Sequence, residues 1–85
     1  MPERSAIRFT AHAEEMIEER GIESAWVVET LTDPEHSEPD PRDPTLTRCY
    51  RRIADAGGRT LRVVHRPASS GILVITAHFD RGASR

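Results

Sequence analysis

The sequence predicts an α+β domain in which an N-terminal helical hairpin packs on a three- to four-stranded antiparallel sheet. The first observation is the run Gly71–Phe79, whose centre, residues 72–75, consists of four consecutive aliphatic side chains. A short apolar run opened by glycine is typical of a strand that is covered on both faces. The second observation comes from residues 10–32, where apolar residues recur at helical spacing and glutamates fill the other face.

The length of 85 residues predicts a single domain, residues 1–85, that buries only about 60–65% of its unfolded surface. A functional site is therefore expected in a groove or on an open sheet face. No run reaches the roughly 18 apolar residues of a membrane span, and the first residues lack the apolar region of a signal peptide. Cys49 is the only cysteine, which excludes an internal disulfide. These features predict a cytoplasmic protein without membrane attachment.

The net charge of −2 conceals an acidic first half and a basic second half. Residues 1–44 carry twelve acidic and four basic side chains, whereas residues 45–85 carry two acidic and eight basic ones. All the basic residues other than histidine are arginines, for which a compositional bias of the source genome is one explanation. A guanidinium group also binds phosphate bidentately and stacks on bases. The division therefore indicates that an anion or nucleic-acid site belongs to the second half.

Two helices are predicted in the acidic half, over residues 10–20 and 23–32. Thr10 is the expected N-cap of the first helix, which follows a short extended lead-in and ends at a glycine. The second helix ends at an Asp-Pro pair. Its apolar face consists of Ala25, Trp26, Val28 and Leu31, of which Trp26 and Leu31 are expected to contact Leu73 or Ile75.

Residues 33–45 hold four of the six prolines and five acidic residues, which predicts a loop or a short edge strand broken by prolines. The basic half is typical of an antiparallel meander with strands over 46–54, 60–66 and 71–79. A tight turn at Gly57-Gly58 joins the first two strands. The resulting sheet has one face covered by the helices and one face left open.

The candidate functional residues are expected on the open face. Arg48, Tyr50 and Arg52 alternate on one face of their strand. Thr76 and His78 share a face of the last strand, and regular alternation would add Ile72 and Val74 to it. When RNA is cleaved through attack by its own 2′-hydroxyl, the reaction needs a proton acceptor, a proton donor and cations beside the phosphate. Histidine, tyrosine and arginine can supply all three without a metal.

A metal site is not predicted, because the histidines and Cys49 lack the spacing of a ligand set. Cys49 is expected to be a small apolar filler in mid-strand. A DNA-binding regulator ranks behind the other function classes, because no helix carries a basic recognition face.

Several stretches resemble a small bacterial family of unknown function with the pattern H-A-x-x-R-M-x-x-R-G-I and a late V-x-T-x-Y. They are Phe9-Thr-x-His12-Ala13, Arg20-Gly-Ile22, Asp33-Pro34, Leu61-Arg-Val-Val64 and Val74-Ile-Thr76. The resemblance implies a relationship to the RelE/BrnT-like ribonuclease toxins, within the barnase-like and colicin-like nuclease folds. It places the family histidine on His12, its arginines on Arg20 and Arg62, and its threonine on Thr76.

Two positions depart from that pattern: Met16 replaces an arginine, and His78 replaces the late tyrosine. Met16 removes a potential phosphate contact, whereas His78 exchanges one proton-transfer group for another that titrates nearer neutral pH.

Together these observations predict a cofactor-free, metal-independent ribonuclease or RNA-binding domain with His78, His12 and Arg62 as catalytic residues. The predicted substrate-binding residues are Arg48, Tyr50, Arg52, Thr76 and Arg20. The implied partners are RNA or the ribosome and an antitoxin protein, and a homodimer is one option for an oligomeric state that stays open. The alternative, from another class, is a non-catalytic protein-interaction module.

Overall fold

The computed structural model of the chain describes residues 6–80, which form two helices and a five-stranded mixed sheet. In chain order the elements are β1 (Ala6–Phe9), α1 (Ala11–Glu19), α2 (Ser24–Thr32), β2 (His36–Pro39), β3 (Thr47–Ile53), a 3₁₀ turn (Ala54–Ala56), β4 (Arg59–Ala68) and β5 (Gly71–Phe79). The strand order is β1-β5-β4-β3-β2. The predicted α+β class is confirmed, whereas the expected three- to four-stranded antiparallel sheet is wrong in strand number and in the parallel pairing of β1.

The extended lead-in is a true strand, because β1 pairs in parallel with the first half of β5. Ile7 lies beside Ile72 and Phe9 lies beside Val74. All four of these side chains belong to or pack against the core between sheet and helices. A strand of four residues shows only two alternations, which is too few to distinguish it from a loop.

A β-bulge at Ile75 reverses the alternation of β5. Its register with β4 slips there, so Ile75 has no partner residue. One extra residue moves every side chain beyond it to the other face. Ile72 and Val74 therefore face the helices, and the prediction that they share a face with Thr76 and His78 is wrong.

Both helices lie on one face of the sheet, here called the inner face. α1 packs on β5, and α2 packs on β4 and β3. The core between them is small and aliphatic, as the size of the domain requires. Its buried members are Ala13, Ile22, Val27, Ile53, Ala56, Leu61, Val63, Val74 and Ala77. The opposite face of the sheet is called the outer face below.

Helix α2 presents only part of the predicted face to the core, because Trp26 and Leu31 pack against it whereas Ala25 is exposed. Val27 and Thr30 are fully buried, whereas Val28 is 40% exposed. Thr30 is accommodated because its hydroxyl donates to the carbonyl of Trp26 at 2.8 Å. Trp26 packs against Phe79, with ring centroids 6.2 Å apart, and not against the predicted positions 73 or 75, which the bulge turns away from the core cluster.

Thr10 caps α1 as predicted and also contacts β5. Its side-chain oxygen accepts a hydrogen bond from the Ala13 amide at 3.0 Å. The same hydroxyl donates to the carbonyl of Ile75, the bulge residue, at 3.3 Å. The start of α1 is therefore fixed to the irregular point of the strand.

The acidic Pro-rich segment contributes the short edge strand β2 and then returns as a loop to β3. The predicted turn at Gly57-Gly58 is confirmed, and both glycines adopt the positive φ, +74° and +78°, that side chains rarely tolerate. Within residues 6–80 no helix is long and apolar enough to cross a membrane.

Candidate functional site

The outer face carries a row of four polar side chains, one from each of the strands β2, β3, β4 and β5. His36 lies opposite Tyr50, Tyr50 opposite Arg62, and Arg62 opposite His78. Directly opposed residues of antiparallel strands project from the same face, so the row is continuous. The register thus brings Arg62 to His78, which residue spacing within a strand did not establish.

Arg62 connects His78 to Asp80. Its Nε and Nη2 atoms donate to His78 Nε2, at 3.1 Å and 2.6 Å. Its Nη1 atom lies 3.5 Å from Asp80 Oδ2. The Arg62 and Asp80 side chains are only 20% and 19% exposed, which limits screening of this pair by water.

The contact with Arg62 determines the tautomer of His78. A guanidinium has no acceptor, so the lone pair of Nε2 receives both hydrogen bonds and the proton of the neutral ring resides on Nδ1. Burial lowers the pKa of His78, and the positive charges of Arg62 and Arg20 lower it further. His78 is therefore neutral near pH 7, with its basic nitrogen occupied by Arg62.

Arg20 reaches the same region from the end of α1. Its Nη1 atom donates to the carbonyl of Ala77 at 3.2 Å. This carbonyl is accessible because β1 pairs only with residues 71–74 of β5. The hydrogen bond positions the Arg20 charge near His78, which explains its effect on the histidine pKa.

A cleft of about 730 Å³ opens beside these residues. Its walls combine cations, a histidine, a carboxylate and the glycine turn before β4. The lining residues are Arg20, Gly57, Gly58, Arg59, Thr60, His78, Phe79 and Asp80. Two arginines against one carboxylate leave the cleft with an excess of positive charge, which suits an anion.

The other predicted site residues lie outside the cleft lining. His12 is exposed on α1, and Arg52 is exposed on β3. Thr76 lies on the outer face opposite Val64 and not in the cleft. The structure therefore brings together Arg20, Arg62 and His78. Tyr50 lies next to this group, opposite Arg62 on the outer face.

Acidic residues of the Pro-rich segment neutralise part of the outer face. Arg48 Nε donates to Asp40 Oδ2 at 3.1 Å, and its Nη1 lies 3.9 Å from Glu38 Oε2. Tyr50 is only 8% exposed and donates to Glu38 at 3.0 Å. Hydrogen bonds from His36 and Tyr50 lower the pKa of Glu38. The expected open basic surface is therefore wrong around Arg48 and Tyr50, where opposite charges are already paired.

Sequence reasoning did not select six of the eight cleft residues, among them Arg59, Phe79 and Asp80. Arg59 directly precedes the strand predicted over 60–66, and Phe79 ends the strand predicted over 71–79. Asp80 follows that strand, and its spacing of two residues from His78 was a usable sign of proximity. Arg59 and Phe79 carried no comparable sign, because their contact depends on the twist of two strands.

A second polar pair lies on the inner face. Cys49 is 4% exposed, and its Sγ atom is 3.1 Å from Nε2 of His65. The Nδ1 atom of His65 is buried without a hydrogen-bond partner among the described residues, and burial lowers the pKa of His65. Within residues 6–80 no three His, Cys, Asp or Glu side chains are grouped to hold a metal ion. The buried position of Cys49 agrees with a filler.

The stability of the domain is expected to decrease as the pH falls below about 6.5. His65 and His78 have lowered pKa values in the folded state, so the unfolded chain binds more protons in this range. Their contribution is fully present above pH 6.5 and is lost as the pH falls through the folded pKa values. Urea unfolding at several pH values measures this loss.

The H78Q variant should lose less stability on acidification than the wild type. H12Q is the matched control, because His12 is exposed, and it should behave like the wild type. Identical pH profiles for the wild type and H78Q would contradict the assignment of the effect to His78.

The family model described as Domain of unknown function (DUF4258) matches residues 9–79, from the end of β1 to the end of β5. No curated protein and no solved structure matches the chain. The matched span includes both helices, Arg62 and every cleft residue except Asp80. The expected membership in a small family of unknown function is thereby confirmed.

Proposed function

Because the chain belongs to the DUF4258 family, whose description leaves the activity open, we propose a function from the site itself: metal-independent binding and cleavage of single-stranded RNA in the cleft beside His78. The observation that supports this most directly is the Arg62–His78 contact, with Arg20 at the same cleft. A proton acceptor and cations beside the phosphate are among the groups that cleavage through the 2′-hydroxyl uses, and water can serve as the proton donor.

Binding would begin with a phosphate in the cleft. Arg20 donates to a backbone carbonyl, and Arg62 donates to a histidine ring and faces a carboxylate. A phosphodiester group attracts a guanidinium more strongly than a neutral carbonyl or imidazole nitrogen does, because it carries a negative charge and can accept two parallel hydrogen bonds. On this proposal the phosphate draws the Arg62 guanidinium away from His78.

Cleavage would follow from the release of His78. Once Arg62 contacts the phosphate, the lone pair of Nε2 becomes available to accept the 2′-hydroxyl proton. The 2′-oxygen forms a bond to phosphorus, the bond from phosphorus to the 5′-oxygen breaks, and that oxygen takes a proton from a water molecule. The hydroxide left from this water takes up the proton held by His78, which restores the neutral ring. The products are a 2′,3′-cyclic phosphate and a 5′-hydroxyl. Arg20 and Arg62 stabilise the charge that develops on the phosphate.

A relationship to the RelE/BrnT-like nucleases, with an antitoxin protein as partner, belongs to the same proposal. It is supported by the order of the elements, in which two helices precede the antiparallel strands β3 to β5, and by a cationic cleft on the last strand.

RNA binding is expected to weaken steeply with salt, with a log–log slope of about −0.7 for each phosphate contacted. Fluorescence anisotropy with a labelled oligouridine across a salt series measures the slope. The variants R20Q and R62Q should each bind more weakly and reduce the slope by about 0.7. R42Q is the control, because Arg42 is exposed in the loop after β2, at the far edge of the sheet. No binding at low salt would refute the proposal.

A second candidate function is a non-catalytic protein-interaction module. The ion pairs of Arg48 with Asp40 and of Arg51 with Glu29 favour it, because they reduce the positive charge available to nucleic acid. The exposed side of α1 is also strongly acidic, with Glu14, Glu15, Glu18 and Glu19. In this case substitutions in the cleft would leave the interaction intact, whereas charge reversal on α1 would weaken it.

A further inference from the structure

Within the cleft, the guanidinium of Arg59 packs over the aromatic ring of Phe79. The guanidinium carbon of Arg59 lies 4.0 Å from the centroid of the Phe79 ring. Arg59 Nε also donates to the carbonyl of Ala56 at 3.0 Å, which fixes the plane of the guanidinium. The indole of Trp26 also packs against Phe79, with the two ring planes tilted by 59°. Arg59 is thus held over an aromatic ring before any ligand arrives.

The second face of this guanidinium is accessible from the cleft. Arg59 is exposed and lines the same cleft as Arg20 and His78. The neighbouring turn, Gly57-Gly58, has no side chains, and the space beside it is open, since a Cβ built on either glycine would meet no atom within 4 Å. One face of the guanidinium is therefore covered by Phe79 and the other is open.

We infer that the open face of Arg59 is a stacking surface for one nucleobase of a single-stranded RNA. A guanidinium plane stacks on any of the bases, and such contacts are tolerant of sequence. The inference rests on the proposed function, since the phosphate beside the stacked nucleotide is the one that Arg20 and Arg62 bind. The occupant of the cleft is then a ribonucleotide unit, with its base on Arg59 and its phosphate toward Arg20.

A simple phosphate contact by Arg59 is the competing explanation, and lysine distinguishes the two. Lysine keeps the positive charge but lacks a planar group that can stack. A contact based on charge would survive R59K, whereas a stacked base would lose its platform. Because Arg59 is exposed, the variant should fold normally.

The test compares 5′-AMP, ribose 5-phosphate and adenosine, which share the sugar but differ in base and phosphate. Trp26, the only tryptophan, lies against Phe79, so its fluorescence reports binding, and NMR titration gives a second measurement. The wild type should bind 5′-AMP roughly 5- to 150-fold more tightly than ribose 5-phosphate. In R59K this ratio should fall to about one, whereas R66K, altered at an exposed position outside the cleft lining, should retain it.

Equal affinity of the wild type for 5′-AMP and ribose 5-phosphate would overturn the inference, as would an unchanged ratio in R59K. Binding of adenosine that depends on Arg59, without binding of ribose 5-phosphate, would support the base site and refute the phosphate site. Failure of all three ligands to bind would refute both proposals.

Discussion

RNA cleavage by the H78A variant is expected to be about 10²- to 10⁴-fold slower than cleavage by the wild type. The cause is the loss of the group that accepts the 2′-hydroxyl proton. The fold should persist, because His78 is a half-buried residue on the outer face near the end of β5 and lies outside the aliphatic core. The measurement is the initial rate on total RNA and on ribosomes, with and without a chelator, together with a circular dichroism spectrum of each variant.

The pH dependence of the cleavage rate shows whether His78 acts as a base or has only a structural role. Neutral His78 is the active form, so the wild-type rate should rise with pH through the His78 pKa of the RNA complex and then level off. H78Y should recover part of the activity with its rise displaced to higher pH, because tyrosine titrates near 10. H36Q is the control, since His36 lies on β2, at the far side of the outer-face row.

Two results would refute this role. Equal rates for the wild type and H78A would show that His78 transfers no proton in the reaction. An absence of cleavage by the wild type, even on ribosomes, would favour the protein-interaction module.

The G71A variant is expected to be less stable than the wild type by roughly 3 kcal/mol, a large share of the about 4–13 kcal/mol typical of a domain of this size. Gly71 pairs with Ala6 of β1, and a Cβ at Gly71 would overlap the carbonyl oxygen of Ala6. β1 must then move away, which exposes Ile7 and Phe9 to water. Urea unfolding measures the change in free energy.

S70A is the matched control, because Ser70 is the exposed neighbour in the same turn and only its carbonyl contacts β1. Its unfolding midpoint should stay close to that of the wild type. If G71A and S70A were equally stable, the close approach of β1 to Gly71 would not matter to the fold.

The elements that repeat a pattern over many residues were predictable from sequence. The bounds of β5 were predicted correctly because Gly71 opens a continuous apolar run, and the start of α1 because Thr10 precedes a periodic segment. The bulge was not predictable, because four aliphatic residues in a row conceal the alternation that would reveal it. β2 was left undecided since its prolines favoured a loop equally.

For the candidate site too, the residue types could be predicted from sequence, whereas their proximity could not. Arg62 and His78 were identified as residue types that suit phosphate chemistry, which is a local property, and Arg20 was identified through its position in the family pattern. Their proximity depends on strand register and on the end of a helix, which no spacing within one element determines. The pairing of Arg48 with Asp40 was also not predictable, because Asp40 belongs to a segment predicted only as a loop or a short edge strand, with no indication of its neighbours.

The double role of α1 at β5 has a consequence for association between molecules. A strand with unpaired carbonyls is a template on which another chain can add a strand and begin aggregation. Beyond β1, the carbonyls of Ile75 and Ala77 would form such a template, but Thr10 and Arg20 already donate to them. Hydrogen bonds from the two ends of the first helix thus cover the part of β5 that the short strand β1 leaves unpaired. The second half of β5 is therefore not available for strand pairing with another molecule.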